Sequence, residues 1–326
     1  MRAVQAASPG GPEVLELVDV PDPVPGPEQL VVRLTAAGVN FIDTYQRSGV
    51  YAMPFPHVVG NEGAGVVTAA GERAGMAVGD RVAWLAGSTG SYAEQVVVAG
   101  EKAVQVPTEV SLETAAAVLL QGVTAHYLVE STFPVLPGQV LLVHAGAGGV
   151  GLLLTQLAVA RGARVITTVS TAAKAALSRE AGASEVIRYD ELADLTRDLP
   201  AAVRSLTDGR GVDTVFDGVG RATFDASLAS VRRRGSLALF GAASGPVPPV
   251  DPQRLNAAGS VYLTRPGITA YTASRAELLQ RAEAVFGAVA GGRLQVRYAT
   301  YPLAEAAAAH RALEGRATTG KLLLMP

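Results

Sequence analysis

The spacing of apolar and polar residues becomes regular from residue 139 onward, where short apolar runs alternate with helical stretches. The runs predict strands at 140–144, 164–169, 185–187, 212–216 and 236–240. The stretches between them predict helices at 152–160, 171–181, 191–206 and 222–231. Because consecutive parallel strands need crossover connections, this spacing predicts an α/β domain with a doubly wound parallel sheet. A further β-rich run at 260–264 would extend one edge of that sheet.

The first third of the chain has a different pattern. Its β-rich pieces are separated by Gly, Pro and Asn turns and predict a compact, mainly β domain, with pieces at 31–39, 63–71, 80–85 and 93–99. Residues 111–129 predict a helix capped by Ser111, and Ser274-x-x-Glu277 begins another. The C-terminal run 322–325 predicts a strand that returns to the first sheet.

The parallel-sheet domain is therefore predicted to be an insertion. Residues 121–264 form the inserted domain, and residues 1–120 together with 265–326 form the mainly β domain. A length of 326 residues fits two domains.

Composition narrows the function classes. Hydrophobic residues make up 49% of the chain and charged residues 17%, so a large core is expected. A formal net charge of −2 gives no basic surface for nucleic acid or an anionic membrane. No apolar stretch of signal-peptide or bilayer-spanning length is apparent, and the expectation is a cytoplasmic protein. The absence of cysteine excludes disulfides, thiolate nucleophiles and cysteine-ligated zinc.

The strongest motif is the stretch QVLLVHAGAGGVG at residues 139–151. A predicted strand leads into Gly146-x-Gly148-x-x-Gly151, which leads into a predicted helix. Gly146 is expected to permit the tight turn, Gly148 a close approach to a pyrophosphate, and Gly151 close packing of helix on strand. The helix N-terminus, with Gly149 and Val150, presents N–H groups to phosphates. The motif therefore predicts a dinucleotide site.

The end of the second predicted strand indicates which dinucleotide. An NAD site of this kind has a carboxylate about 20 residues after the glycines. Here the tip offers Ser170, Thr171 and Lys174, and no carboxylate before Glu180. Hydroxyls and an ammonium bind a 2′-phosphate that a carboxylate would repel, which favours NADPH. The alternative for Lys174 is a solvated lysine on the helix surface.

Ligands of parallel sheets bind beyond the carboxyl ends of the strands. Two more predicted strands have their carboxyl ends at that edge. Gly218, Phe240 and Gly241 are therefore expected beside the cofactor. Asp217 is expected to cap the following helix rather than to act in catalysis.

Taken together, these motifs resemble the medium-chain dehydrogenase/reductase superfamily, and within it the zinc-free quinone oxidoreductases related to zeta-crystallin. The likeness covers nearly the whole chain and rests on the segments AAGVNFIDTYQRSGVY, VVGNEGAGVV, VGDRV, LLQGVTAHYL, HAGAGGVG and GRATTGKLLL. The resemblance implies a GroES-like catalytic domain with an inserted Rossmann domain, NADPH as cofactor and a homodimer.

Zinc is not expected. In the zinc-bearing relatives a cysteine stands at the position matching Asn40 and a histidine at the position matching Asn61, and asparagine amides are poor zinc ligands. His57 lies near Asn61 but has no evident partner in the sequence.

The resemblance also suggests roles for single residues. It places Asn40, Asp43, Tyr45 and Gln46 at the substrate site as candidate catalytic residues. It gives Thr124 a hydrogen bond to the cofactor, while Tyr189 is a candidate to pack against adenine and Arg316 to reach the cofactor. The alternatives are a turn asparagine, a half-buried tyrosine and a surface arginine.

Without a metal, hydride transfer needs an acceptor that is already electrophilic, such as a quinone. The hypothesis is therefore an NADPH-dependent quinone reductase, giving either the hydroquinone directly or a semiquinone product. Two alternatives stay open: a reductase of conjugated enones or enoyl thioesters, and a non-catalytic NADPH-binding protein of the crystallin type.

Overall fold

The chain divides into two compact units. The computed structural model describes residues 1–86 and 90–326. Unit 1 comprises Met1–Val123 and Tyr271–Pro326, and unit 2 comprises Thr124–Ala270. The sequence placed the two boundaries after residues 120 and 264; in the structure they fall after residues 123 and 270.

The first segment of unit 1 is mainly β. Its elements are β1 (Arg2–Ala6), β2 (Leu15–Asp19), β3 (Gln29–Val39), α1 (Phe41–Arg47), β4 (His57–Val58), β5 (Glu62–Ala70), β6 (Arg81–Leu85), β7 (Gln95–Ala99), β8 (Val104–Gln105) and α2 (Leu112–Tyr127). Ser111 caps α2 as predicted, because its hydroxyl accepts from the Thr114 N–H at 3.1 Å.

Unit 2 alternates strands and helices. Its elements are β9 (Val140–Val143), α3 (Gly149–Ala160), β10 (Arg164–Val169), α4 (Ala172–Glu180), β11 (Glu185–Arg188), α5 (Leu195–Ser205), β12 (Val212–Asp217), α6 (Phe224–Ser230), β13 (Val231–Leu239), α7 (Pro252–Ala257) and β14 (Tyr262–Thr264). The chain then returns to unit 1 with α8 (Arg275–Ala290), β15 (Tyr298–Pro302), α9 (Ala306–Glu314) and β16 (Lys321–Met325).

The sheet of unit 2 confirms the predicted doubly wound topology. Its six strands are parallel and run in the order β11-β10-β9-β12-β13-β14. The chain steps outward from β9 in one direction and then resumes on the other side at β12, so strand order reverses between these two strands. Ligands of such sheets bind at that reversal, beyond the carboxyl ends of the strands.

Two predicted helices of unit 2 differ from the structure. The helix predicted over 222–231 ends at Ser230, because Val231 begins β13 and pairs with Val212. The helix predicted over 191–206 begins only at Leu195. The Asp194 carboxylate accepts from two backbone N–H groups of the first turn and fixes that start.

The sheet of unit 1 is organised around β3. That strand is antiparallel to β16, β5 and β7, with Leu322 of β16 opposite Val39. The C-terminal strand therefore joins the first sheet, as predicted. Trp84 is fully buried in the core of this unit, and its indole N–H donates to the Ser91 hydroxyl at 3.0 Å.

By length and composition alone, one helical stretch departs from the expectation that no apolar run could span a bilayer. The helical stretch Leu112–Thr132, of 21 residues, is long and apolar enough to cross a membrane by length and composition. However, 67% of its most apolar window is buried inside the protein, as in the core helix of a soluble protein.

Candidate functional site

The glycine motif of unit 2 forms the predicted strand–turn–helix between β9 and α3, but the tight turn has a different cause from the one expected. The left-handed residue is Ala145, at φ 53°, and Gly146 has an ordinary φ. A Cβ on Gly146 would lie 2.5 Å from the Thr167 side chain and 2.8 Å from the Ser178 hydroxyl. Gly146 is therefore needed for its small size against β10 and α4.

The other two glycines of the motif differ from each other. A Cβ on Gly151 would lie 2.2 Å from the Ala145 carbonyl oxygen, so α3 packs directly on the loop after β9, where packing against the strand itself was expected. A Cβ on Gly148 would find that oxygen at 3.2 Å and no closer neighbour. Gly148 is therefore less crowded than Gly151, although a Cβ there would still press on this backbone oxygen.

The N-terminus of α3 has no side-chain cap. Gly148 is the N-cap residue, and the first turn that follows it is Gly149, Val150 and Gly151. N–H groups of a first helical turn have no partner within the helix and need one from a side chain, water or a ligand. This turn also has no acidic side chain, so it suits an anion.

The end of β10 carries the residues predicted to select the cofactor. Ser170 follows the strand, and Thr171 is the N-cap of α4, where its hydroxyl oxygen accepts from the Lys174 backbone N–H at 3.2 Å. The first turn of α4 contains no acidic residue. Tyr189 follows Arg188, which lies opposite Val169 in the neighbouring strand, so Tyr189 lies at the same edge of the sheet.

The ends of β12 and β13 contact each other closely. A Cβ on Gly218 would lie 2.8 Å from the Phe240 ring, and one on Gly241 would lie 2.4 Å from the Gly218 carbonyl oxygen. This mutual packing already requires both glycines. Asp217 is fully buried and accepts from the loop N–H groups of Val219 and Gly220 and from the Thr223 hydroxyl. Because α6 begins only at Phe224, Asp217 holds the loop before that helix and does not cap the helix itself.

In unit 1, the candidate catalytic segment forms the start of α1. Asn40 is the N-cap residue, and its backbone N–H donates to the Asp43 carboxylate at 2.7 Å. Asp43 has no exposed surface, whereas Tyr45 and Gln46 are half-buried. The Tyr45 ring packs edge-on against Tyr51 at 5.4 Å between centroids.

A buried ion pair lies behind Asn40. The Lys321 ammonium on β16 contacts the Glu62 carboxylate on β5, and both side chains are almost fully buried. The ammonium also donates to Asn40 Oδ1 at 2.6 Å, and Asn40 Nδ2 donates to Glu62 at 2.9 Å. The second carboxylate oxygen accepts from the Leu120 N–H in α2 at 2.6 Å. A Cβ on Gly38 would collide with both Glu62 and Lys321, so the pair lies directly over β3.

The Asp43 carboxylate collects three donors. Besides the Asn40 N–H, Asn61 Nδ2 donates at 2.7 Å and the Tyr92 hydroxyl at 3.1 Å. Asn61 Nδ2 also donates to Gln46 Oε1 at 2.6 Å. Desolvation raises the pKa of Asp43 to about 6, while the donors and the Lys321 charge oppose that rise.

The hydrogen-bond directions beyond Tyr92 follow from Arg47. A guanidinium can only donate, so His310 Nδ1, 2.9 Å away, must accept. His310 Nε2 then carries the proton and donates to the Tyr92 oxygen at 3.0 Å, which leaves the Tyr92 hydroxyl hydrogen for Asp43. Burial, with the Arg47 charge, lowers the pKa of His310 to about 3, in keeping with a neutral ring.

Five residues of this network were missed by the sequence reasoning: Arg47, Glu62, Tyr92, His310 and Lys321. Arg47, Glu62 and Lys321 did appear in the quoted family segments, and for Glu62 and Lys321 a charge next to an apolar strand was the available signal. Their contact depends on β16, β3 and β5 being neighbours.

The remaining predicted residues lie elsewhere. Thr124 is the first residue of unit 2 and is buried. Arg316 follows α9 in unit 1, exposed and at φ 56°. His57 packs edge-on against Phe55, with 4.8 Å between the ring centroids. Among residues 1–86 and 90–326, no group of three or more histidines, cysteines or acids could hold a metal.

Comparisons with known proteins agree with this architecture. The alcohol dehydrogenase GroES-like domain matches residues 26–108, and the zinc-binding dehydrogenase family matches residues 149–283. Quinone oxidoreductase of Pseudomonas aeruginosa is 44% identical over 100% of this chain and 99% of its own length. A 2-haloacrylate reductase of a Burkholderia species is 39% identical, with 97% and 96% covered.

Two solved structures are similar over the full length. A mycobacterial protein complexed with NADPH is 52% identical with a TM-score of 0.96, covering 100% of both chains. Escherichia coli quinone oxidoreductase complexed with NADPH is 40% identical with a TM-score of 0.96, again covering 100% of both.

A GroES-like unit with an inserted Rossmann unit defines a medium-chain dehydrogenase or reductase. Within that superfamily, the chain belongs to the quinone oxidoreductase family.

Replacing Gly148 with valine is expected to remove dinucleotide binding without unfolding the protein. A Cβ at this position lies 3.2 Å from one backbone oxygen, so the loop needs to shift only slightly, while the rest of the valine stands at the N-cap of α3 where a phosphate would approach. Titration should show NADPH affinity reduced at least about tenfold, or 1.4 kcal/mol, with the melting temperature retained. Gly151→Val is the matched control and should destabilise the protein, because its Cβ meets backbone. Unchanged NADPH affinity in Gly148→Val would contradict a phosphate-binding loop.

Replacing His310 with glutamine is expected to flatten the dependence of stability on pH. The unfolded chain binds a proton at His310 near pH 6.5, whereas the folded protein does so only near 3, so stability falls as the pH drops from 6.5 toward 3. At pH 4.5 this loss is about 3 kcal/mol, from roughly 1.4 kcal/mol per pH unit. Glutamine keeps one acceptor and one donor but cannot take up the proton.

The measurement is urea unfolding of both proteins at pH 7 and pH 4.5. The raised pKa of Asp43 acts in the opposite direction, lowering stability as the pH rises toward 6. Because both proteins contain Asp43, their difference isolates His310. An equal pH dependence in the two proteins would show that folding does not lower the pKa of His310.

Proposed function

We propose that this protein is an NADPH-dependent quinone reductase that works without zinc. The observation that carries the proposal is the uncapped first turn of α3 together with the absence of an acid at the start of α4. The full-length similarity to quinone oxidoreductases, one of them solved with NADPH, supports both the cofactor and the substrate class.

We assign the cofactor contacts by chemistry. The N–H groups of Gly149, Val150 and Gly151 suit the diphosphate, and the lack of a side chain on Gly148 allows its approach. The 2′-phosphate is assigned to Ser170, Thr171 and Lys174, since the Thr171 oxygen accepts from backbone and its hydrogen stays available. The adenine is assigned to Tyr189. Further contacts are proposed for Thr124, Gly218, Phe240, Gly241 and Arg316.

The candidate catalytic residues separate into two groups. Asp43 is fully buried and all of its hydrogen-bond partners are protein groups, so we assign it a positioning role. The Asn40 amide is held at both ends, by Lys321 and Glu62, and is assigned a positioning role as well. Tyr45 and Gln46 are half-buried and are assigned to contact the substrate.

When bound, NADPH supplies a hydride, so that a quinone and one proton give a hydroquinone and NADP⁺. Negative charge develops on a carbonyl oxygen of the acceptor, and hydrogen-bond donors placed at that oxygen lower the barrier. Zinc-independence is supported by the amides of Asn40 and Asn61, which are occupied by Lys321, Glu62, Asp43 and Gln46.

A conjugated carbonyl or carboxylate acceptor is the second candidate substrate, and the similarity to a 2-haloacrylate reductase supports it. A non-catalytic role gains no comparable support, because the similar proteins of known function carry enzyme names.

The proposal includes a homodimer and a cytoplasmic location. Strand β14 ends the sheet order of unit 2, and Tyr262 on it is 62% exposed, so this strand is the proposed dimer edge. Light scattering of the purified protein should give twice the chain mass; a monomer would exclude the dimer. Cell fractionation tests the location.

The proposed reaction is tested by NADPH oxidation, followed at 340 nm, with 1,4-benzoquinone and with cyclohexenone, each with and without EDTA. We expect faster turnover with the quinone and no effect of the chelator. Preference for the enone would support the second candidate, no turnover with either would refute a reductase, and loss of activity in EDTA would refute zinc-independence.

Replacing Lys174 with alanine is expected to raise the KM for NADPH about tenfold or more and to leave the KM for NADH unchanged. A charge-assisted hydrogen bond to the 2′-phosphate contributes roughly 1.5–3 kcal/mol, and NADH lacks that group. The matched control is Lys102→Ala, which removes a lysine paired with Glu101 in unit 1. Equal increases for both cofactors would exclude the assignment of Lys174.

A further inference from the structure

The hydrogen-bond directions around Asp43 determine how the Gln46 amide must point. An ionised carboxylate can only accept, so the Asn61 atom that lies 2.7 Å from Asp43 Oδ1 is the amide nitrogen. That nitrogen has two hydrogens, and the second is directed at Gln46, 2.6 Å away. The Gln46 atom that receives it must be the carbonyl oxygen.

The opposite end of the Gln46 amide is therefore a donor. Within residues 1–86 and 90–326, the Gln46 amide makes one hydrogen bond, which its oxygen accepts, and Nε2 on this half-buried side chain makes none. If Gln46 turned its amide over, Nε2 would face Asn61 Nδ2, two donors would meet, and a carbonyl would point outward. Asn61 excludes that orientation.

Asn61 itself is held in one orientation from the far side. Arg47 sets the direction of His310, His310 that of Tyr92, and Tyr92 donates to Asp43. Asn61 is 4% exposed. Donation therefore runs toward Asp43 from Arg47 through Tyr92 and also from Asn61, and the second Asn61 hydrogen is donated away from Asp43, to Gln46.

We propose that Asn61 is a positioning residue that holds the Gln46 amide with Nε2–H directed at the acceptor oxygen that becomes negative during hydride transfer. The proposal rests on the proposed quinone reductase function and deepens it. A donor at this oxygen stabilises the charge that develops there, whereas the inverted amide would place a carbonyl oxygen against it. Asn61 acts only through Gln46 and does not touch the substrate.

Steady-state kinetics with 1,4-benzoquinone test the coupling between the two residues. Gln46→Met and Asn61→Leu should each lower kcat about tenfold to a hundredfold and leave the NADPH dissociation constant unchanged. This decrease in kcat is no larger than the decrease caused by removing a single oxyanion-hole donor. In the double variant, Asn61→Leu should cause no loss beyond that of Gln46→Met. Gln105→Met, on an exposed position of β8, is the matched control and should leave kcat unchanged.

Additive losses in the double variant, or full activity in Gln46→Met, would overturn the proposal. Gln46→Glu covers the possibility that Asn61→Leu does not fold. It keeps an acceptor for Asn61 but turns an oxygen outward, and it should lower kcat at least as much as Gln46→Met.

A second measurement does not depend on turnover. In protein labelled with ¹⁵N-glutamine, the side-chain amide signal of Gln46 is identified by its absence in Gln46→Met. Asn61→Leu should shift this signal and speed its hydrogen exchange, because the amide is released. An unchanged Gln46 signal in Asn61→Leu would overturn the proposal, whether or not the wild-type enzyme reduces a quinone. If the signal shifts as expected but the wild-type enzyme reduces no quinone, only the proposed quinone reductase function is refuted.

Discussion

The polar interior of unit 1 depends on one buried negative charge. The Asp43 carboxylate has no exposed surface, and an isolated charge at such a depth would be strongly unfavourable. Three hydrogen-bond donors compensate it, one each from Asn40, Asn61 and Tyr92. The first is the backbone start of α1, so the same carboxylate also fixes where that helix begins.

A buried ion pair holds the same segment from the other side. Glu62 and Lys321 neutralise each other, and between them they hold both ends of the Asn40 amide. The positions of Asn40 and Asn61 are those at which the resemblance to zinc-bearing relatives implies metal ligands. In this chain hydrogen bonds hold those positions, with a lysine supplying the local positive charge. A buried pair of this kind is sensitive to loss of either partner, because the other charge would remain uncompensated.

Most of the fold was predictable because it follows from local patterns. Apolar runs separated by helical stretches gave the six parallel strands, and capping residues such as Ser111 and Ser274 gave helix starts. The start of β13 was misplaced because Val231 fits a helix end as well as a strand start. The site was harder to predict. Asn40, Asp43 and Gln46 came from one segment, but Lys321 lies 259 residues from Glu62, and only the pairing of β16 with β3 brings them together.

The single tryptophan gives this enzyme an internal fluorescence reporter for unit 1 alone. Trp84 is the only tryptophan among 326 residues, and it is fully buried with its N–H bound to Ser91. Its emission should lie at short wavelength in the folded protein and move to the red when unit 1 unfolds. Unit 2 has no such signal, so comparing tryptophan emission with circular dichroism would separate the unfolding of the two units.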